Sequence, residues 1–472
     1  MRKSATWVLL IAVGILGVFS SAKLLAQTVT QLYVFPGAPG GDAPFEGLVQ
    51  GRDGYMYGVT QGGGVNTCSN FGYQTSCGTV FKTDTLGNVT IVYSFDQTGG
   101  SFPRGVTLGT DGNFYGATYQ GGAYGFGTLF KVTAGGVFTK LHDFANTTDG
   151  EYPQNQLLEA SDGNFYGFTQ TGIYRATTAG VVTTIFTFAP YPVVDNYAPL
   201  IQATNGDLYG TMQIMYCDGT TCPCGAFVKF NLEGTRISEY NFGCHNMTIG
   251  GSPFASLIQA IDGNFYGTAG SASGSAEYGD IFKIDAHTGT ATAIHDFDAS
   301  AEAPMNGVTQ GSDGNFYGVL EEGSLSTSGI AYEVTPQGAY TELGVLANNG
   351  EDFPYWPLLQ HTTGKFYGNL WFSEETYYAY YGAIYSVDNG LEPFVTFVAP
   401  QGRVGSRAQI LGQGLTGTTA VTFNGVAASS FTVVSDTFMT AVVPAGATSG
   451  PVVVTTPSGV LRSSKSFRVS LY

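Results

Sequence analysis

Between residues 27 and 389 the chain is a succession of short apolar stretches, each closed off by glycine and small polar residues. Within many stretches apolar and polar positions alternate, as in Val89-Thr-Ile-Val-Tyr-Ser-Phe95. That is the period of a half-buried β-strand. The stretches also recur as a set. DGNFYG stands at Asp111–Gly116, Asp162–Gly167, Asp262–Gly267 and Asp313–Gly318, with looser copies at Asp53–Gly58, Asn205–Gly210 and Thr363–Gly368. A second string of the type Gly-Thr-Leu-Phe-Lys-Val begins at Gly78, Gly127, Gly172, Gly225, Gly279, Gly329 and Gly382. A proline and then an apolar pair precede DGNFYG, as in Pro153…Leu157-Leu158 and Pro253…Leu257-Ile258.

Each repeat therefore predicts four strands. In the third they are Leu157–Ala160, Asn164–Thr169, Gly172–Thr177 and Val181–Phe188, with Asp162-Gly163 supplying the positive φ of a tight hairpin turn. One such sheet cannot bury both its faces alone, whereas seven packed about an axis can. The ends of the array complement one another. Gln31–Phe35 reads as a fourth strand with nothing before it, and Gly382–Val387 as a third strand with no fourth after it. The expected fold is all-β: a seven-bladed β-propeller over 27–389, closed by N- and C-terminal strands, followed by an immunoglobulin-like β-sandwich.

The combination of DGNFYG, Gly-Thr-Leu-Phe-Lys and a Phe-rich strand resembles the GloVer (Gloeobacter/Verrucomicrobia) tandem repeats over about residues 30–388. The resemblance implies export and a propeller-like array, and it brings no established enzymatic activity with it. Members often carry a C-terminal sorting tail, which is not seen before Tyr472. Residues 390–472 break the pattern. Ile410-Leu-Gly-Gln-Gly-Leu415, Val421-Thr-Phe-Asn-Gly-Val426, Phe431-Thr-Val-Val434 and Pro451-Val-Val-Val-Thr455 predict a small sandwich with an Asn424-Gly425 turn. This run is similar to IPT/TIG domains, which implies an immunoglobulin-like spacer or adhesion module.

Charge and cysteines add a compartment. Arg2 and Lys3, the apolar run Trp7–Phe19 and small residues up to Ala26 read as a signal peptide over 1–26, and no later segment is long and apolar enough to span a bilayer. The expected location is extracytoplasmic, secreted or at the cell surface, with the periplasm as a further option. The full chain carries a net charge of −17. Arg403, Arg407, Arg462, Lys465 and Arg468 against Glu392 and Asp436 make the last segment basic, so the repeats are strongly acidic. Such a surface excludes a nucleic-acid partner, which needs clustered Lys and Arg. Six cysteines in an exported chain predict disulfides: Cys68 with Cys77, and a second group of Cys217, Cys222, Cys224 and Cys244.

The expected function is a monomeric binding or structural scaffold for polysaccharide or a surface protein, with carbohydrate-active or other hydrolytic chemistry as the alternative. The loops between second and third strands vary most, and variable loops on a rigid scaffold are where binding resides. The candidate ligand residues are Trp371, Glu374, Glu375, Tyr377, Tyr378, Tyr380, Tyr381 and Tyr124. No G-x-S-x-G or H-E-x-x-H is present. His142-Asp143 and His295-Asp296 sit at outer-strand positions, and Glu321-Glu322 and Glu374-Glu375 read first as solvated charge. No metal site is expected. Ca²⁺ is the one cofactor the Asp-Gly turns suggest, and turn geometry alone accounts for their Asp. The repeated Phe and Tyr are assigned to the core between sheets.

Overall fold

The computed structural model describes residues 27–470 except 71–72, 147–148, 189–197, 214–224, 243–244, 248–252, 254, 271–272, 275–277, 299–300, 303, 305, 324–328, 347–351 and 373–381. Among the described residues, seven antiparallel sheets follow the seven repeats. The third consists of Leu158–Glu159, Phe165–Thr169, Gly172–Ala176 and Val182–Thr187, one strand for each expected segment. The seventh is assembled from both ends of the repeat region. Its second and third strands are Phe366–Phe372 and Ala383–Asp388, and its outer strand is Thr28–Val34, which pairs Thr28 with Asp388 and Val34 with Ala383.

The repeat motif explains both the sheets and their packing. In the second turn, Gly112 takes φ 89° and Asp111 Oδ1 accepts the Asn113 N–H at 2.9 Å. Asp111 Oδ2 accepts the Tyr115 hydroxyl at 2.8 Å, and the same Tyr-to-Asp bond recurs at Tyr57, Tyr166, Tyr266 and Tyr317. The rings of four of these five lie against an aromatic ring of the next sheet, while Tyr166 shares a core cluster with Leu208. Tyr57 stacks on Phe114 at 3.9 Å, Tyr115 on Phe165 at 4.2 Å, Tyr266 on Phe316 at 4.3 Å and Tyr317 on Phe366 at 4.2 Å. The glycine that follows leaves room for an aromatic ring of the neighbouring strand. A Cβ at Gly318 would stand 2.3 Å from the Tyr332 hydroxyl oxygen, and one at Gly58 would stand 2.6 Å from Phe81. The repeated aromatics thus fill the gaps between sheets, as their period-two placement requires.

Neighbouring sheets are also tied by one repeated hydrogen bond. In six of the seven sheets a Gln or Glu at the end of the first strand accepts a backbone N–H from the turn of the preceding sheet. The pairs are Thr110 to Glu159, Ser161 to Gln202, Thr204 to Gln259, Ile261 to Gln310, Ser312 to Gln360 and Thr362 to Gln50, all at 2.7–3.1 Å. The last of these joins the seventh sheet to the first. The equivalent residue of the second sheet is Leu108, which cannot accept a hydrogen bond.

Residues 394–470 form a separate hydrophobic core. Thr396–Phe397, Arg407–Leu411, Phe438–Val442 and Phe431–Val433 make one four-stranded sheet, and Val426–Ala427, Ala420–Phe423, Val452–Thr456 and Gly459–Arg462 make another. Val421, Phe423, Val452 and Val454 of the second sheet pack with Ile410, Met439 and Ala441 of the first. This unit rests on the Asp-Gly turns of the repeats. Thr437 Oγ1 donates to Arg52 O at 2.7 Å, Gln413 Nε2 to Thr362 Oγ1 at 3.0 Å and Gln401 Nε2 to Gln202 Oε1 at 3.2 Å. At the joint where Leu108 replaces the usual Gln, the Arg52 guanidinium donates to Thr110 O at 2.7 Å and to Gln409 Oε1 at 2.5 Å, and lies 4.7 Å from the Phe438 ring.

Candidate binding cavity

The segment between the repeat proline and the first strand lies at the end of each sheet away from the Asp-Gly turns. Its residues differ from repeat to repeat: Phe45-Glu46, Arg104-Gly105, Asn306-Gly307 and Tyr355-Trp356. In the structure these segments converge. Phe45, Arg104, Ala255, Ser256, Asn306, Tyr355, Trp356 and Pro357, with Gln61 and Trp371 from the ends of second strands, line a cavity of about 430 Å³. That is the size of a small-molecule site.

The lining is aromatic with a few polar atoms. Phe45 packs on Trp356 at 4.4 Å, and Tyr355 lies 5.6 Å from Trp371. Trp356 is 7% exposed and Asn306 1%. The indole Nε1 of Trp356, the Nε1 of Trp371 and the Oδ1 of Asn306 are buried without a hydrogen-bond partner among the described residues. Buried polar atoms left this way each cost about 1–3 kcal/mol, so they are where a ligand gains most. The Arg104 guanidinium lies 4.6 Å from the Phe45 ring and 4.3 Å from the Tyr119 ring. Beside it, Glu46 is buried at φ 63°, and burial raises its carboxyl pKa to about 8 despite the attraction of Arg104. The Tyr355 hydroxyl donates to Glu321 Oε1 at 3.3 Å. Burial, reinforced by Glu321, pushes its pKa up to about 12.

Of the residues singled out in the sequence, Trp371 lines the cavity and Tyr124 does not. Tyr124 stands 63% exposed on the loop between the second and third strands of the second sheet. Glu374, Glu375, Tyr377, Tyr378, Tyr380 and Tyr381 lie outside the described residues, as do Cys217, Cys222, Cys224 and Cys244. Cys68 and Cys77 form a disulfide at the two-stranded hairpin of Thr67–Asn70 and Tyr73–Ser76, which lies between the second and third strands of the first sheet. His142 meets Asp149 at 2.6 Å rather than Asp143, which pairs with Lys140, and His295 contacts Gly338 O at 3.1 Å. Phe45, Arg104, Asn306, Tyr355 and Trp356 were not foreseen. The signal available for them was variability itself: they follow a repeated proline and precede a repeated apolar pair, yet do not repeat.

Sheets of this pattern, stacked side by side about a common cavity, define an all-β repeat protein of β-propeller type. The model of the Gloeobacter/Verrucomicrobia repeat matches residues 14–213 and 172–385, and the chain belongs to that family. No curated protein matches it in sequence. Among solved structures, a streptogramin B lyase is similar at 12% identity, TM-score 0.50, over 76% of this chain and 97% of its own. A fungal alcohol oxidase of the AA5 family, in complex with copper, is similar at 12% identity and TM-score 0.51, over 95% of this chain and all of its own. At these identities the likeness is one of fold.

Proposed function

We propose that the protein is an exported binding scaffold that holds a saccharide in the cavity at the ends of its repeat sheets. The observation that carries this reading is the pairing of Trp356, Trp371, Tyr355 and Phe45 with unpartnered indole N–H groups and the Asn306 carbonyl. A sugar ring offers an apolar C–H face to aromatic side chains and hydroxyls that both donate and accept, which suits such a lining. The scaffold in this reading is a closed seven-bladed propeller over 27–389. Support comes from the pairing of Thr28–Val34 with Ala383–Asp388 and from the bond of Thr362 to Gln50. The unit over 390–472 is read as an immunoglobulin-like domain of the IPT/TIG kind, supported by its two four-stranded sheets over one core. Export is supported by the basic and then apolar start of residues 1–26 and by the Cys68–Cys77 bridge, since disulfides persist in oxidising compartments. The acidic net charge argues against a nucleic-acid partner.

A glycan array on the chain from Gln27, with a turnover assay on every sugar that binds, tests the reading. Binding that Trp356→Ala and Trp371→Ala both weaken, with no turnover, is the expected result. Binding unchanged in both variants places the ligand elsewhere, and turnover moves the protein into the hydrolytic class.

A further inference from the structure

Resting on the saccharide reading, we infer that the cavity selects an N-acetylated sugar, a hexosamine whose acetamido group is held by Trp356, Trp371 and Asn306. The polar groups left over at these residues are neutral and unequal in kind. The Nε1 atoms of Trp356 and Trp371 are buried without partners among the described residues, and an indole N–H can only donate. Asn306 Nδ2 donates to Val319 O at 3.3 Å, which leaves Asn306 Oδ1 as an unused acceptor. The set therefore calls for two acceptor lone pairs and one donor. An amide supplies all three in one planar group, since its oxygen has two lone pairs and its nitrogen one N–H. A hydroxyl carries its donor and its lone pairs on one atom, whereas the amide sets them on different atoms. Partners in two sheets require the second arrangement. Trp356 and Asn306 hold the same place in adjacent repeats, two residues before Leu358 and Val308.

The rest of the lining fits the same group. Phe45, Tyr355 and the two indoles form an apolar wall against which both a sugar C–H face and an acetyl methyl bury area. Gln61 and Ser256 add neutral side chains suited to ring hydroxyls. Arg104 is the one charged side chain among the described lining residues, and it is already engaged. Its guanidinium packs on the rings of Phe45 and Tyr119. An ionised group on the ligand would thus leave water without a free counter-charge, which burial makes unfavourable. The acetamido group is polar and uncharged, so it meets the leftover donors and acceptor without that cost.

The test is calorimetric titration of the chain from Gln27, which contains every described strand, with two matched pairs of sugars. One pair is the β-1,4-linked trimers of N-acetylglucosamine and of glucose, and the other is N-acetylgalactosamine and galactose. Within each pair the acetamido group is exchanged for a hydroxyl and nothing else changes. At least one N-acetyl sugar is expected to bind about tenfold more tightly than its hydroxyl counterpart, the size of effect that one well-made hydrogen bond gives. Trp371→Phe, which keeps a ring and removes the N–H, and Asn306→Ala should each bring that ratio towards one. An N-acetyl sugar that binds no better than its counterpart, or a preference that survives both substitutions, overturns the inference while leaving saccharide binding intact. Binding of other array sugars with neither N-acetyl sugar bound does the same. Failure of every sugar to bind overturns both. Should the variants lose their folded circular dichroism, saturation-transfer NMR on the unaltered protein decides the matter. The strongest transfer should fall on the acetyl methyl, and stronger transfer to the ring protons would overturn the inference.

Discussion

Six joints between neighbouring repeat sheets are made alike, and the joint between the first and second sheets is made differently. In the six, a Gln or Glu side chain reaches across to a backbone N–H of the adjacent turn. In the exception, Leu108 has no such group, and Arg52 bridges to Thr110 and to Gln409 of the C-terminal unit instead. The difference shows what the C-terminal unit does. It pins the joint that the repeat leaves open, and it covers the turns while leaving the cavity at the opposite strand ends uncovered. The cavity and the contacts to the C-terminal unit thus occupy opposite ends of the same sheets.

The largest effect is expected from His361, at the joint between the seventh and first sheets, where its Nε2 lies 3.1 Å from Gly54 O. Burial lowers its pKa to about 4. The folded protein therefore holds it neutral while the unfolded chain, with a pKa of about 6.5, takes up a proton. Its contribution to stability is complete above pH about 6.5 and is lost as pH falls towards 4, by about 3 kcal/mol. Glu46 runs the other way, since its raised pKa gives stability that fades as pH rises from about 4.5 to about 8. Denaturant melts across this range, for the protein and for His361→Asn, should show the acid-side slope only where His361 is present.

Next comes Gln50→Leu, which copies the Leu108 joint at a place the C-terminal unit does not bridge in the same way. It strips Thr362 N and Oγ1 of their bonds to Gln50 in a buried setting. A loss of about 2–3 kcal/mol in urea unfolding is expected, whereas a loss below about 0.5 kcal/mol would mean these bonds are incidental. Arg52→Ala should cost slightly less, about 2 kcal/mol, because Arg52 is partly exposed. Its distinguishing mark is faster hydrogen exchange in Arg407–Leu411 and Phe438–Val442, with the distant sheets unchanged. The smallest effect belongs to Tyr332→Phe. The Tyr332 hydroxyl is buried without a partner, so removing it should leave the melting temperature unchanged or raise it by a few degrees.

Much of this arrangement was legible in the sequence. Strands, Asp-Gly turns and the inter-sheet role of Phe114, Tyr115 and their equivalents follow from local chemistry repeated seven times, and repetition makes a weak local signal firm. The joints were harder to see. Gln50, Glu159 and Gln310 stand three residues before an Asp, but their partners lie in another sheet, and a side chain reaching across a gap leaves no period in the chain. The cavity was harder still. Trp356 and Phe45 have the composition of core residues, and Arg104 occurs once, so nothing local separates them from packing. The variable loops carry the stronger compositional signal, and of the two candidates there that are described, Trp371 is at the cavity and Tyr124 is not.

The most direct test of the account uses the fact that, from Gln27 onward, Trp356 and Trp371 are the only tryptophans, and both line the cavity. Tryptophan emission recorded while a bound saccharide is titrated in should shift saturably, with the same midpoint that calorimetry gives. Saturable binding by calorimetry with unchanged tryptophan emission would contradict the claim that the ligand sits there.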